Sequence, residues 1–253
     1  MARLTVVADK AAMSEAAAER IATLVEQAVE THACAALSLT GGRSPDLLYS
    51  LLADPARPWR SRIDWKQLHL FWGDEREVAP DHPESNYGLA DRTLLQSVDV
   101  PQTQIHRMRG ELPASDAGRL YDAVLRARRD RTAGPLFDVM LLGIGENAHI
   151  ASIFPNSPLL EDGARSSDRL ATGVQVPEIN QWRITMTPSA LLDSACILMI
   201  ASGRSKADAI AAAIERPADI RRYPAQLLRE ADERLEWIID SDAAAQLRGV
   251  PPA

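Results

Sequence analysis

One histidine in this chain follows an apolar run that ends in glycines. In Phe137 to Pro155, FDVMLLGIGENAHIASIFP, the run stops at Gly143 and Gly145, and His149 comes next, before small and apolar residues that can open a helix. A short apolar run closed by glycines predicts a buried parallel strand. Ligands bind outside the carboxyl ends of such strands, and an imidazole there suits general acid–base work.

Four other stretches carry groups that could join it. Thr40-Gly41-Gly42-Arg43-Ser44-Pro45 follows another apolar run. Its glycines free backbone N–H groups, Ser44 adds a hydroxyl, and the next residues read as a helix start, a set that suits a phosphate. It lacks the GK[ST] of a Walker A loop, and an ordinary strand–helix turn would read the same way. Asp74-Glu75-Arg76 closes a third apolar run: Arg76 can bind a phosphate or polarise a carbonyl, and Asp74 can be a base or only a cap. By itself this is also what a solvated loop looks like. Lys206 follows a strand and Gly203, and Arg183 sits inside a strand candidate, an odd place for a cation unless its head reaches a site or a partner. Gly143 to His149 reads GxGxxxH, which is not the dinucleotide fingerprint. Together these stretches describe an anionic-substrate site with a general base.

The elements that must position these groups alternate. Strands are predicted over 4–8, 34–40, 68–72, 137–142, 182–187, 196–201 and 235–239. Helices are predicted over 11–32, 46–52, 89–95, 115–131, 188–194, 205–214 and 224–228, with a last turn at 243–247. Residues 59–66 read as connecting material, 73–87 as loop and 162–173 as a polar excursion. Alternation predicts an α/β fold with a mainly parallel sheet, and six glycines (Gly41, Gly42, Gly73, Gly143, Gly145, Gly203) follow strand candidates, marking one functional edge. No repeat or linker interrupts residues 1–253, so one domain is expected.

Composition narrows the class. The 253 residues are 46% hydrophobic and 25% charged, with a net charge of −7. That charge argues against binding nucleic acid through the whole surface. No signal-peptide pattern and no membrane-length apolar stretch occurs. Cys34 and Cys196 read as buried, reduced thiols, and no spacing suggests a metal site. The expected compartment is the cytoplasm.

The order of these motifs resembles that of the 6-phosphogluconolactonases. The resemblance runs from TGGRSP to LEWIIDSDAA and is most specific in WGDEREVAPDHPESNYGLA (72–90), HIASIFPNSPLL (149–160) and WRITMTPSALLDSACILMIASGRSKADAI (182–210). It implies a Rossmann-like sheet, the fold shared with glucosamine-6-phosphate deaminases and ribose-5-phosphate isomerases. It also implies no cofactor, a small sugar phosphate as the partner with neither nucleic acid nor membrane, and a monomer. By resemblance His149 is the general base, Gly41, Gly42, Arg43 and Ser44 form the sugar-phosphate loop, and Arg76 and Asn86 match motif residues. Arg183 and Lys206 lie at the phosphate end. Two residues depart from the family's G-x-D-G-H: Asn147 replaces an acid and Ala148 a glycine. Asn147 can orient a neighbour without adding charge, and Ala148 is strained if the position requires φ > 0.

The implied reaction is hydrolysis of 6-phospho-D-glucono-1,5-lactone to 6-phospho-D-gluconate, the second step of the oxidative pentose phosphate pathway. His149, with a pKa near the usual ~6.5, would act on water, and Arg76 would face the oxyanion. The rivals are an isomerase or deaminase of the same fold, whose deaminases typically carry D-E-Y at the position of Asp74-Glu75-Arg76, and a non-catalytic sugar-phosphate binding protein.

Overall fold

A computed structural model describes residues 2–165 and 167–248. Strands β1 (Arg3–Val7), β2 (Ala35–Leu39), β3 (Leu68–Trp72), β5 (Phe137–Leu142), β8 (Ser194–Ala201) and β9 (Leu235–Asp240) form one sheet in the order β1-β9-β8-β5-β2-β3. Every pairing in it is parallel. The three central strands β8, β5 and β2 are buried almost throughout, because helices cover both faces. That is why they read as continuous apolar runs rather than alternating ones.

The helix Lys10–His32 shows how local sequence feeds this packing. The Asp9 side chain caps it by accepting from the Ala12 N–H at 2.9 Å, and Ala33, left-handed at φ 61°, ends it. Between these limits Met13, Ala17, Ile21, Val25 and Ala28 form the buried stripe. They join the core on one face of the sheet, and the core on the other face is built around Phe71, Phe137, Met140 and Tyr121.

A second, three-stranded antiparallel sheet lies beside the parallel one, and two of its three strands differ from the sequence reading. It is ordered β4 (Asp74–Arg76), β7 (Gln181–Met186), β6 (Ala171–Val176). Asp74-Glu75-Arg76 is therefore a strand and not a loop, because its backbone pairs with Thr185, Ile184 and Arg183. Residues 171–173 of the expected polar excursion open β6, which pairs with β7 in a hairpin. Residues 58–62 and 65–67 are short helices rather than bare connection. No helix follows His149: Ala148 and Ala151 have φ of 64° and 46°, and Ile150 bridges to Ile153. Residues 243–247 form turns. Cys196 is buried and Cys34 only partly so. No helix among the described residues is long and apolar enough to cross a membrane.

Candidate active site

A cavity of about 800 Å³ opens where the carboxyl ends of β2, β5 and β8 meet the small sheet. All the expected site residues line it: Gly41, Gly42, Arg43, Ser44, Asp74, Arg76, Asn86, Asn147, His149, Arg183 and Lys206. Gly143, Gly145 and Gly203 also line it. Gly73 does not; its N–H donates to the Leu39 carbonyl at 3.0 Å and it turns the chain from β3 into the small sheet.

The loop after β2 is shaped by what presses on it. A Cβ on Gly41 would lie 1.8 Å from Asn86 Oδ1, and Gly42 has φ +89°. Asn86 is 2% exposed and donates from Nδ2 to the Asp74 carbonyl (2.9 Å) and to Asp74 Oδ1 (3.1 Å). It is thus a strut between β4 and the glycine loop. Ser44 makes no capping hydrogen bond to the helix Pro45–Ala53. Lys10, absent from the expected set, donates to the Arg43 carbonyl at 2.8 Å and steadies the loop from outside.

Asp74 is also organised from its other side. Ser152, fully buried, donates its hydroxyl to Asp74 Oδ2 at 2.6 Å. Both carboxylate oxygens are therefore engaged, which ties β4 to the histidine loop. Glu75 next to it is buried and accepts from the N–H groups of Arg76, Asn86 and Tyr87. Burial pushes its carboxyl up, against those hydrogen bonds.

The small sheet sets two cations side by side. Arg76 and Arg183 are directly opposite in the β4–β7 ladder. Like charges so placed repel, at a cost on the order of 0.2–1 kcal/mol, and an anion between them would remove that cost. Burial first, and then Arg76, push the Arg183 guanidinium below its ordinary value, while Asp74, Glu84 and Glu75 oppose the shift. Burial likewise lowers Lys206; Glu146 opposes the shift, and Arg43 adds to it.

His149 sits between these cations. Its ring stacks on Phe154, with centroids 3.9 Å apart. A Cβ on Gly145 would fall 2.0 Å from His149 Nδ1, so that position must lack a side chain. Asn147 Oδ1 lies 2.6 Å from Nδ1 and 3.2 Å from the His149 backbone N–H. Burial, followed by Lys206, Arg183 and Arg76, pushes the imidazole down to about 4. This corrects the expectation of an ordinary value near 6.5. Ala148, at φ 64°, does occupy the conformation that favours glycine, at a cost of roughly 1–2 kcal/mol; its N–H to Gly145 and its carbonyl to Ala225 hold it there.

Sequence reasoning missed Lys10, Ser152, Phe154 and Glu178 among the lining residues. Phe154 and Ser152 lie within five residues of His149, and that proximity was the available signal. Glu178 gave none. Among the described residues, no group of three or more His, Cys, Asp or Glu could hold a metal ion.

Known proteins resemble this chain over nearly its whole length. Residues 8–237 match the family model described as glucosamine-6-phosphate isomerases/6-phosphogluconolactonase. A 6-phosphogluconolactonase of Streptomyces coelicolor is 35% identical over 97% of this chain and 94% of that protein. A crystal structure of devB protein superposes with a TM-score of 0.85 at 32% identity, covering 98% of this chain and all of that one. A monomeric glucosamine-6-phosphate deaminase shares the fold, with a TM-score of 0.79 at 21% identity over 96% of this chain and 99% of its own.

Proposed function

This chain belongs to the glucosamine-6-phosphate isomerase/6-phosphogluconolactonase family, and we propose that His149 is the general base with which it hydrolyses 6-phospho-D-glucono-1,5-lactone to 6-phospho-D-gluconate. The carrying observation is that His149 shares one cavity with Lys206, Arg183 and Arg76, where burial and those three charges push its imidazole below the ordinary value. Lys206 and Arg183 would hold the substrate's phosphate, together with the backbone of Gly41–Ser44, and so fix the carbonyl relative to water and Arg76.

Asn147 engages Nδ1, which leaves Nε2 for the water. As water attacks C1, Nε2 takes its proton and the carbonyl becomes an oxyanion, which Arg76 would stabilise. When the bond from C1 to the ring oxygen breaks, the imidazolium returns the proton to that oxygen. The new carboxylic acid releases its own proton to solvent. An imidazole with a pKa of about 4 is neutral at pH 7 but weakly basic. A bound phosphate dianion neutralises the neighbouring cations and raises it, which improves proton acceptance in the complex. Asp74, with both oxygens hydrogen-bonded, serves by holding Asn86 and Ser152 rather than by taking a proton. We place the protein in the cytoplasm as a monomer, in line with a cavity whose lining one chain supplies.

The test is a direct assay on freshly generated lactone with spontaneous opening subtracted. Enzyme-dependent hydrolysis is expected. Binding of 6-phosphogluconate without any acceleration would instead make this a sugar-phosphate binding protein.

A further inference from the structure

The tip of the β6–β7 hairpin forms one wall of the cavity and carries Glu178. We infer that Glu178 is a positioning residue for His149, acting through the Asn147 amide to hold the imidazole in the tautomer that leaves Nε2 free to accept a proton. The inference rests on the reading of His149 as general base.

The hydrogen-bond chain fixes its own polarity. Asn147 Nδ2 lies 3.0 and 2.9 Å from the two oxygens of Glu178. A carboxylate accepts and an amide NH₂ donates, so the nitrogen end of Asn147 faces Glu178. The other end receives the backbone N–H of His149 at 3.2 Å, a group that only donates. Both contacts therefore place Oδ1 toward the histidine. Oδ1 lies 2.6 Å from His149 Nδ1 and cannot donate, so Nδ1 carries the hydrogen. In a neutral ring the lone pair is then on Nε2.

Among the described residues, only the Glu178 carboxylate and the His149 backbone N–H make that selection. Stacking on Phe154 fixes the plane of the ring, but a half-turn about Cβ–Cγ leaves that plane unchanged. The charged groups facing the ring are Lys206, Arg183 and Arg76, and all three are donors. The hairpin holds Glu178 in place by paired strands on both sides of the tip and by Asn180 in the left-handed region at φ 48°.

Glu178 is exposed, so its variants are expected to fold. Glu178→Ala is expected to lower kcat about tenfold with KM little changed, the lower end of the 10–100-fold cost typical of removing an outer-shell orienting group. Glu178→Gln, whose amide oxygen accepts the same hydrogen bond, is expected to restore most of that rate. Long-range ¹H–¹⁵N correlation on the His149 ring is expected to show the Nδ1–H tautomer in the wild type and Glu178→Gln, and a growing Nε2–H population in Glu178→Ala. The spectrum does not depend on turnover, so it decides the positioning claim even if His149→Ala proves fully active and the general-base reading falls. Wild-type tautomer and kcat in Glu178→Ala would overturn the inference, as would a Glu178→Gln protein as impaired as Glu178→Ala.

Discussion

The cavity has two walls built on different principles. The rim of the parallel sheet offers backbone: glycine turns after β2, β5 and β8 on strands sealed from both sides. The small antiparallel sheet offers charge, with Arg76 opposite Arg183 and Glu178 at its hairpin tip. The small sheet carries a cross-strand repulsion that Asp74, Glu84 and Glu75 partly offset and a bound anion would relieve further. A folding core supplies the frame, and a marginal element beside it supplies recognition.

Removing the group between the two walls should have the largest effect. His149→Ala is expected to lower kcat by about 10²–10⁴-fold, the usual worth of a positioned acid–base group, while 6-phosphogluconate still binds. Loss of product binding along with the rate would mean that the histidine holds substrate instead.

The rim can be tested at Gly145, where an added Cβ would strike the His149 ring. Displacing a reacting group by about 1 Å can cost roughly 10²-fold, so Gly145→Ala should lose about that much kcat, with KM close to wild type. A rise in KM alone would place Gly145 in substrate binding.

The small sheet should respond differently. Arg183→Gln keeps most of the side-chain stem and removes the charge opposite Arg76. KM should rise roughly 10- to 100-fold, from a lost charged hydrogen bond worth about 1.5–3 kcal/mol. The thermal midpoint of the ligand-free protein should rise by about 1–2 °C as the repulsion goes. A lower midpoint with unchanged KM would show Arg183 to be structural, and the contrast between the walls would fail.

The same contrast explains what could be read from the chain. Leu68–Trp72 and Phe137–Leu142 were legible to the residue because burial leaves each an apolar run broken only at its second residue, His69 and Asp138. The glycine turns followed from those strands. Asp74-Glu75-Arg76 could not be seen as a strand, since three charged residues have no strand signal until β7 pairs with them. Ala171–Val176 was hidden in the same way, with Gly173 and Gln175 interrupting any apolar run. Arg183 was legible only as an anomaly, and its meaning came from the register that sets it against Arg76. Glu178, 29 residues beyond His149 in the chain, reaches it only through a hairpin turn and one amide.

The central claim is that burial, with the cations beside it that receive the phosphate, holds His149 neutral, and an NMR titration of its ring tests this directly. In the ligand-free protein the pKa should lie at about 4, because burial and three cations disfavour the imidazolium. Below that value the ring protonates, so the acid limb of kcat/KM should fall there as well. With 6-phosphogluconate bound, the phosphate offsets Lys206 and Arg183 and the pKa should move up, carrying the limb of kcat to higher pH than that of kcat/KM. A pKa near the ordinary ~6.5 that ligand does not move would contradict the account.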